Sequence, residues 1–387
     1  MNQKIRDKFV ALFGAEQQMF RAPGRVNLIG EHTDYNEGFV LPAAVDKQIV
    51  FAVKPNSVGR FRFFAFDLGE SFETEEDNIA KSDTAWANYL LGVVAQFRKA
   101  GLTVPAFDCV FGGNVPLGAG MSSSAAIEVG MAFAINDMFG LDVNRLTMTK
   151  FAQMAEHEYA GVNCGIMDQF ASMHGKAGHV VRLDCRSLDF EYFPLDMTNY
   201  RLVLVNTGVK HSLASSEYNR RRADCEAGVA LLQKHYSSVS SLRDVTAEML
   251  AAHRTEFDEV VYRRCDYIVA ENNRVVEGCK ALAAGDFQAF GRLMYGSHDG
   301  LSHQYEVSCK ELDQLVDIAR KVPGVLGSRM MGGGFGGCTI TLIEKSKVAD
   351  FEQAVKSAYK TPDGREPEIY EVVIGDGAGE LKLKMKN

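Results

Sequence analysis

Helical and strand-like stretches interleave along the chain without a regular βαβ alternation, which places the protein in the α+β class. Two domains are expected, because 387 residues exceed a usual domain of about 150 and the 46% hydrophobic content can fill more than one core. Their junction is set near residue 195, giving units 1–195 and 196–387, where paired apolar strands give way to a largely helical half. With no repeat and no low-complexity linker, the two units should share an extensive interface.

The apolar run 9–13 belongs to one face of an opening helix. Alternating apolar and polar residues then mark strands at 26–29, 38–42, 49–54 and 60–65. Helical period follows over 86–99, a strand over 107–111, and a Gly/Pro/Ser loop leads into an alanine-rich helix at 125–139. The stretch 146–159 reads as a helix with Phe151, Met154, Ala155 and Tyr159 on one face. Strands at 180–183 and 201–206, helices at 218–232, 257–284 and 307–320, and strands at 339–343 and 369–373 complete the chain.

A formal charge of −8, from 42 Lys+Arg against 50 Asp+Glu, repels polyanions and argues against non-specific nucleic-acid binding or a polybasic membrane contact. No apolar stretch approaches the roughly 18 residues of a membrane span, and the opening run is too short for a secretion signal. Eight cysteines at irregular spacings, with no CxxC pair, read as reduced thiols of a cytoplasmic protein. The expected partners are small molecules bound by a monomer. Glycine is the one compositional excess: 36 residues stand where average usage of about 7% gives about 27. Thirteen glycines fall in four short polar stations.

The first station, GGNVPLGAGMSSSAA at 112–126, joins a strand to a helix. Glycines let backbone approach a ligand, and the unpaired N–H groups of a helix start favour phosphate. Ser122, Ser123 and Ser124 can cap that helix, donate to phosphate oxygens or give a hydroxyl to Mg²⁺. One serine would suffice for a cap, so three behind spaced glycines favour phosphate. It is no Walker loop, since Gly175-Lys176 is followed by Ala177, and the HRD and DFG motifs of protein kinases are missing.

The second station, RAPGRVNLIGEHTDY at 21–35, crowds Arg25, Glu31, His32, Asp34 and Tyr35 between apolar flanks. Carboxylates, an imidazole and a phenol suit vicinal hydroxyls, each of which both donates and accepts. In the third, EHEYAGVNCGIMDQ at 156–169, the second histidine of HExxH is missing, which removes a zinc protease. Glu156 and Asp168, the latter beyond a turn at Gly165, could meet at one site, although a solvated helix face accounts for Glu156 equally well. The fourth, MMGGGFGGC at 330–338, spells GxGxxG at Gly332, Gly334 and Gly337 but leads into a strand, so a dinucleotide fingerprint fails on context. A mobile loop or a backbone nest over an anion is the better reading.

In this order the stations resemble the GHMP kinase family, with its proline-containing first motif, its phosphate loop (PLGAGMSSSA, 116–125) and its C-terminal glycine-rich loop. Within that family the chain is similar to the galactokinases through GRVNLIGEHTDY at 24–35, CGIMDQ at 164–169, SEYN at 216–219 and the glycines of 332–337. The resemblance implies a ribosomal S5-like N-terminal domain, a ferredoxin-like C-terminal domain and an active site between them. It also implies transfer of phosphate from MgATP to the C1 hydroxyl of α-D-galactose, the entry to the Leloir pathway of galactose metabolism. On the same basis Asp168 lies at the C1 hydroxyl, with Arg25 between that oxygen and the γ-phosphate. Glu31, His32, Thr33, Asp34, Gly165 and Tyr218 would hold the sugar. Gly118, Ala119, Gly120, Met121, Ser122, Ser123 and Ser124 would wrap the phosphates, Ser124 and Glu156 would ligate Mg²⁺, and Trp86 would line the adenine pocket.

These parts suit phosphoryl transfer, which depends on positioning and charge stabilisation. Asp168 would either accept the hydroxyl proton or orient the hydroxyl, and the sequence leaves both open. Two alternatives are a kinase for N-acetylgalactosamine or arabinose and a non-catalytic galactose/ATP sensor. A sensor is expected to lose part of the serine loop, which is uninterrupted at 122–126. Other groups take ordinary roles. His174, His179, His235 and His253 have no partners at ligand spacing and read as surface or satisfied core residues; Arg220, Arg221 and Arg222 read as a solvated, salt-bridged face. His211, His298 and His303 receive no assignment.

Overall fold

The computed structural model describes residues 1–15, 17–116, 118–209 and 214–382, without the side chains of 214 and 215. Leu117 of the phosphate loop and His211 lie outside that set. The fold is α+β, with 45% helix and 23% strand.

A six-stranded sheet organises the first half and takes its outermost strand from the 196–387 segment, in the order Gly379–Glu380, Gln18–Asn27, Pro42–Pro55, Phe107–Gly113, Arg60–Ala65, Glu70–Glu75. Its neighbours are antiparallel except Arg60–Ala65 beside Phe107–Gly113, which run parallel. The period of two in the central strand Pro42–Pro55 explains the layering. Ile49, Phe51 and Val53 face the main core with the helices Ala85–Lys99 and Ser123–Phe139, whereas Val50 and Ala52 face Ile5 and Phe9 of the helix Asn2–Phe13. A small sheet of Phe39–Val40, His179–Asp184 and Phe190–Pro194 lies beside it.

The second half forms a four-stranded antiparallel sheet in the order Val325–Met331, Cys338–Glu344, Tyr200–Asn206, Ile369–Val372. With helices between its first and second strands and Val348–Ala358 between its third and fourth, the connectivity is βαββαβ, as in ferredoxin-like folds. The first crossover carries the helices Ala214–Leu232, Ala247–Ala252, Glu259–Ala283, Phe287–His303 and Lys310–Lys321. One apolar cluster draws on both halves, joining Phe51 and Val129 to Val275, Phe290 and Ile340.

Several elements differ from the sequence reading. The edge strand Glu70–Glu75 carries three glutamates and stays largely exposed, a composition that protects an edge but hides a strand. The helix expected over 146–159 is α-helical only over Arg145–Ala155, and a π-turn at Glu156–Ala160 follows. Helix Phe287–His303 escaped notice because it holds Gly291, Gly296 and Gly300. Gly291 is needed there: a Cβ on it would fall 2.1 Å from the carbonyl oxygen of Leu326, and Gly327 abuts Gly291 in return. Gly291→Ala should therefore destabilise the protein by about 2 kcal/mol through overpacking, read as a lower urea midpoint. An unchanged midpoint would mean that helix and strand separate at little cost.

Candidate active site

The signature segment ends the strand Gln18–Asn27 and turns through Leu28–Asn36, so its polar residues are held by backbone on both sides. A cavity of about 160 Å³ opens there, lined by Arg25, Glu31, His32, Asp34 and Asp168 with Gly165 and Tyr218. Glu156, Gly332 and Gly333 also reach its wall. The residues expected to surround a sugar and its reacting hydroxyl thus come together, with one exception. Thr33 is fully buried and its hydroxyl lies against the carbonyls of Gly30 (2.9 Å) and Phe39 (2.6 Å), so it fixes the turn instead of contacting the cavity.

Arg25 grips Asp168 with two parallel bonds, Nε to Oδ1 and Nη2 to Oδ2, each 2.7 Å. Its Nη1 donates to the carbonyl of Gly120, which ties this pair to the phosphate loop. Burial works against the Arg25 charge, yet the adjacent Asp168 prevails and holds its pKa above the usual arginine value. Ser122 was expected among the caps and phosphate donors; it sits at the helix N-cap but makes no side-chain cap bond, and its hydroxyl donates to Asp168. Ser124 meets Glu156, its Oγ 3.0 Å from Oε1.

Glu156 is buried, so the solvated-face reading fails. The π-turn that starts at this residue carries it inward, where Gln169 Nε2 donates to Oε2 at 2.6 Å. Glu128, absent from the sequence reading, lies one helical turn beyond Ser124 and is fully buried, with Oε1 unpaired. Burial and then the Glu156 carboxylate push its pKa well up, while burial and then Asp168 raise that of Glu156. Its signal was the i, i+4 spacing from Ser124 on an otherwise apolar helix.

Gly165 is spatially forced: any Cβ there would fall 1.9 Å from Asp34 Oδ2. His32 bonds Tyr35 Oη at 2.7 Å, and Tyr35 in turn meets Tyr305 at 2.8 Å. Burial, then the charge of Arg221, pushes the His32 pKa down to about 3, so the imidazole is neutral at physiological pH. Arg221 itself is buried against the carbonyls of Tyr305 and Glu306, which corrects its placement on a solvated face. Arg329 was also missed. It is fully buried and pairs with Glu31 Oε1 at 2.9 Å, an oxygen that also accepts from the Gly332 N–H.

Gly118 and Gly120 take positive φ beside Gly337 and Gly332, so the two glycine-rich loops face each other. With Asn206, Thr361 and Arg365 they border a cavity of about 550 Å³. Across the phosphate loop, Trp86, Tyr89, Phe66 and Phe111 line a separate apolar cavity of about 390 Å³ that reaches Ser123 and Ser124. The Trp86 ring is fixed by its Nε1 donating to Glu70 at 2.7 Å.

Comparison with known proteins gives the same regions. Residues 7–55 match the galactokinase galactose-binding signature, 88–176 the GHMP kinase N-terminal domain and 279–361 the GHMP kinase C-terminal model. The chain is 41% identical to a galactokinase of a Roseiflexus species over 98% of its own length and 97% of the relative's. It is equally identical to that of Thermotoga maritima over 93% and 99%. A galactokinase of Lactococcus lactis, solved in complex with galactose, superposes with TM-score 0.94 at 35% identity over 98% and 99% of the two chains. A mevalonate kinase of Methanococcus jannaschii, at 17% identity and TM-score 0.66 over 94% and 99%, shares the fold.

Two consequences can be measured. Enclosure and then Asp168 raise the Asp34 pKa from 3.8 to about 7, so between these values the folded chain binds a proton that the unfolded chain has lost. Its stabilising contribution is complete below pH 3.8 and disappears as pH rises through about 7. Relative to Asp34→Asn, the ligand-free wild type should lose stability across that window, and parallel denaturation curves for the two would exclude it. Arg329→Met, which strands Glu31, should cost about 3 kcal/mol in chemical unfolding.

Proposed function

This chain belongs to the galactokinase family of GHMP kinases, and on that footing we propose that it transfers the γ-phosphoryl group of ATP to the C1 hydroxyl of α-D-galactose, giving galactose 1-phosphate and ADP. The observation that carries this is the Arg25–Asp168 pair, which stands in the sugar-side cavity while Arg25 also touches the phosphate loop. The acceptor hydroxyl and the transferred phosphoryl group would meet at that point, between the lobes 1–195 and 196–387.

Asp168 accepts the hydrogen bond of the C1 hydroxyl and receives its proton, while Arg25 stabilises the charge shared by the developing alkoxide and the phosphoryl oxygens. Glu31, His32, Asp34 and Tyr218 hold the remaining hydroxyls, the neutral imidazole and a carboxyl half-protonated near pH 7 each serving as donor or acceptor. The apolar cavity around Trp86 takes the adenine, and the backbone of 118–124 surrounds the phosphates at the start of helix Ser123–Phe139.

The donor set also suits Mg²⁺. Ser124 Oγ and the Glu156 carboxylate are hard oxygen ligands in contact, and the buried oxygens Glu128 Oε1 and Gln169 Oε1 have no hydrogen-bond partner. Ser124 and Glu156 would hold the ion, which when bound neutralises the charge of the β,γ-phosphates. A cytoplasmic setting fits the irregular spacing of the eight cysteines, and the protein would act as a monomer.

ADP release should require galactose and Mg²⁺ together, and faster turnover per KM with N-acetylgalactosamine, glucose or arabinose would overturn the sugar assignment. Asp168→Asn should lower kcat by about two or more powers of ten with little change in galactose binding. Near wild-type turnover would remove Asp168 from the mechanism.

A further inference from the structure

Histidines 235 and 253 lie 18 residues apart, which is why they read as unconnected groups, but the fold brings them together. His235 follows the helix Ala214–Leu232, and His253 ends the helix Ala247–Ala252 just before the turn Arg254–Glu256. Their rings stack with centroids 3.8 Å apart and planes inclined by 21°. Both address one carboxylate: His235 Nε2 lies 2.9 Å from Glu256 Oε2, and His253 Nδ1 lies 2.8 Å from Glu256 Oε1. Among the described residues this is the one group of three His, Cys, Asp or Glu side chains whose ligand atoms all fall within 4.8 Å of each other.

We propose that His235, His253 and Glu256 form a surface site for one transition-metal dication of the zinc class, separate from the oxygen site at Ser124 and Glu156. Two imidazole nitrogens and a carboxylate oxygen match the three-protein-ligand pattern of zinc, with the fourth position open to water. Tetrahedral coordination at about 2.1 Å sets ligand atoms about 3.4 Å apart and needs the two in-plane ring lone pairs to converge, so the imidazoles must swing out of their stack while the carboxylate retreats by about half an ångström. His235 and Glu256 are exposed, which gives the ion an entry path and lets the carboxylate move.

A further contact supports the ligand geometry. His253 Nε2 lies 3.3 Å from Tyr236 Oη, an outer partner that leaves Nδ1 as the coordinating atom. Binding exchanges the shared hydrogen bonds for two nitrogen–metal bonds and one oxygen–metal bond, and any proton on the coordinating atoms passes to solvent. Imidazole donors select zinc, nickel or copper over Mg²⁺, so the catalytic ion should not compete. The metal would clamp the end of the helix Ala214–Leu232, which carries Tyr218, to the turn Arg254–Glu256.

The test uses the full chain stripped with a chelator and then titrated with Zn²⁺ against a chromophoric competitor in excess Mg²⁺. Wild type should take up one tight equivalent, develop tetrahedral visible absorption with Co²⁺, and gain Tm on adding Zn²⁺. His253→Ala and His235→Ala should weaken that equivalent by about tenfold or more and lose the Tm gain, with galactose-dependent ADP release in MgATP unchanged. Glu256→Gln, which keeps the side-chain volume, should also weaken it and guards against misfolding as the cause. No tight equivalent in wild type, or equal uptake by a His235→Ala/His253→Ala double variant, would overturn the site.

Discussion

The buried pair of Arg329 and Glu31 is the contact on which the geometry of the cleft depends. Two charges with almost no solvent exposure are costly unless their hydrogen bonds are satisfied, and here they are. Arg329 donates to the carbonyls of Asn27, Leu28 and Met330 as well as to Glu31, so a strand of the second half is bonded to the signature turn of the first. Glu31 Oε1 receives Arg329 and the Gly332 N–H together, which fixes where the C-terminal glycine loop begins. The loop that faces the phosphate loop is therefore anchored by a residue of the sugar-side cavity. Phosphate and sugar ends of the cleft are registered by one carboxylate oxygen.

Like charges also gather beside this cleft. Glu128, Glu156 and Asp168 interact within a largely buried network, and among the described residues Arg25 is the one cation paired with any of them. Gln169 bridges two of the carboxylates through a single amide nitrogen, a poor substitute for positive charge. On the proposed reading, a chain of net charge −8 would engage a polyanionic nucleotide because the negative charges would collect a dication, with Arg25 and the loop N–H groups supplying the rest. Removing the arginine or the dication would leave the carboxylates to meet the phosphates unscreened.

Motif-bearing segments were legible because their chemistry is local. The polar crowd of 21–35, the serine loop and Asp168 are each written in short local stretches, and one cavity gathers Arg25, Glu31, His32, Asp34 and Asp168. What escaped reading depends on long-range placement. Arg329 looks like an ordinary charge in a strand until its four oxygen partners are assembled, and Glu128 looks like a helix residue until Glu156 arrives through the π-turn. Helix Phe287–His303 was hidden for the opposite reason. Its glycines weaken the local helical signal, and what they gain, close approach to Leu326 and to the Tyr267 ring, is invisible without the partner.

Thr33 and Ser122 show how sequence position can mislead within a correct motif. Both are hydroxyls within the motifs, yet one is spent on turn carbonyls and the other on Asp168. Ser122 and His32 also hold left-handed backbone, at φ 55 and 64, a conformation that costs a non-glycine residue about 1–2 kcal/mol. Each is secured by bonds at the same place: the Ser122 carbonyl accepts from Ala126, and the His32 carbonyl accepts from the Asn36 side chain. These two residues aim a hydroxyl at Asp168 and an imidazole into the cavity lined by Arg25 and Asp34. Ordinary backbone at either position would turn those side chains elsewhere, so the cleft meets its ligands with the orientation cost already met by folding.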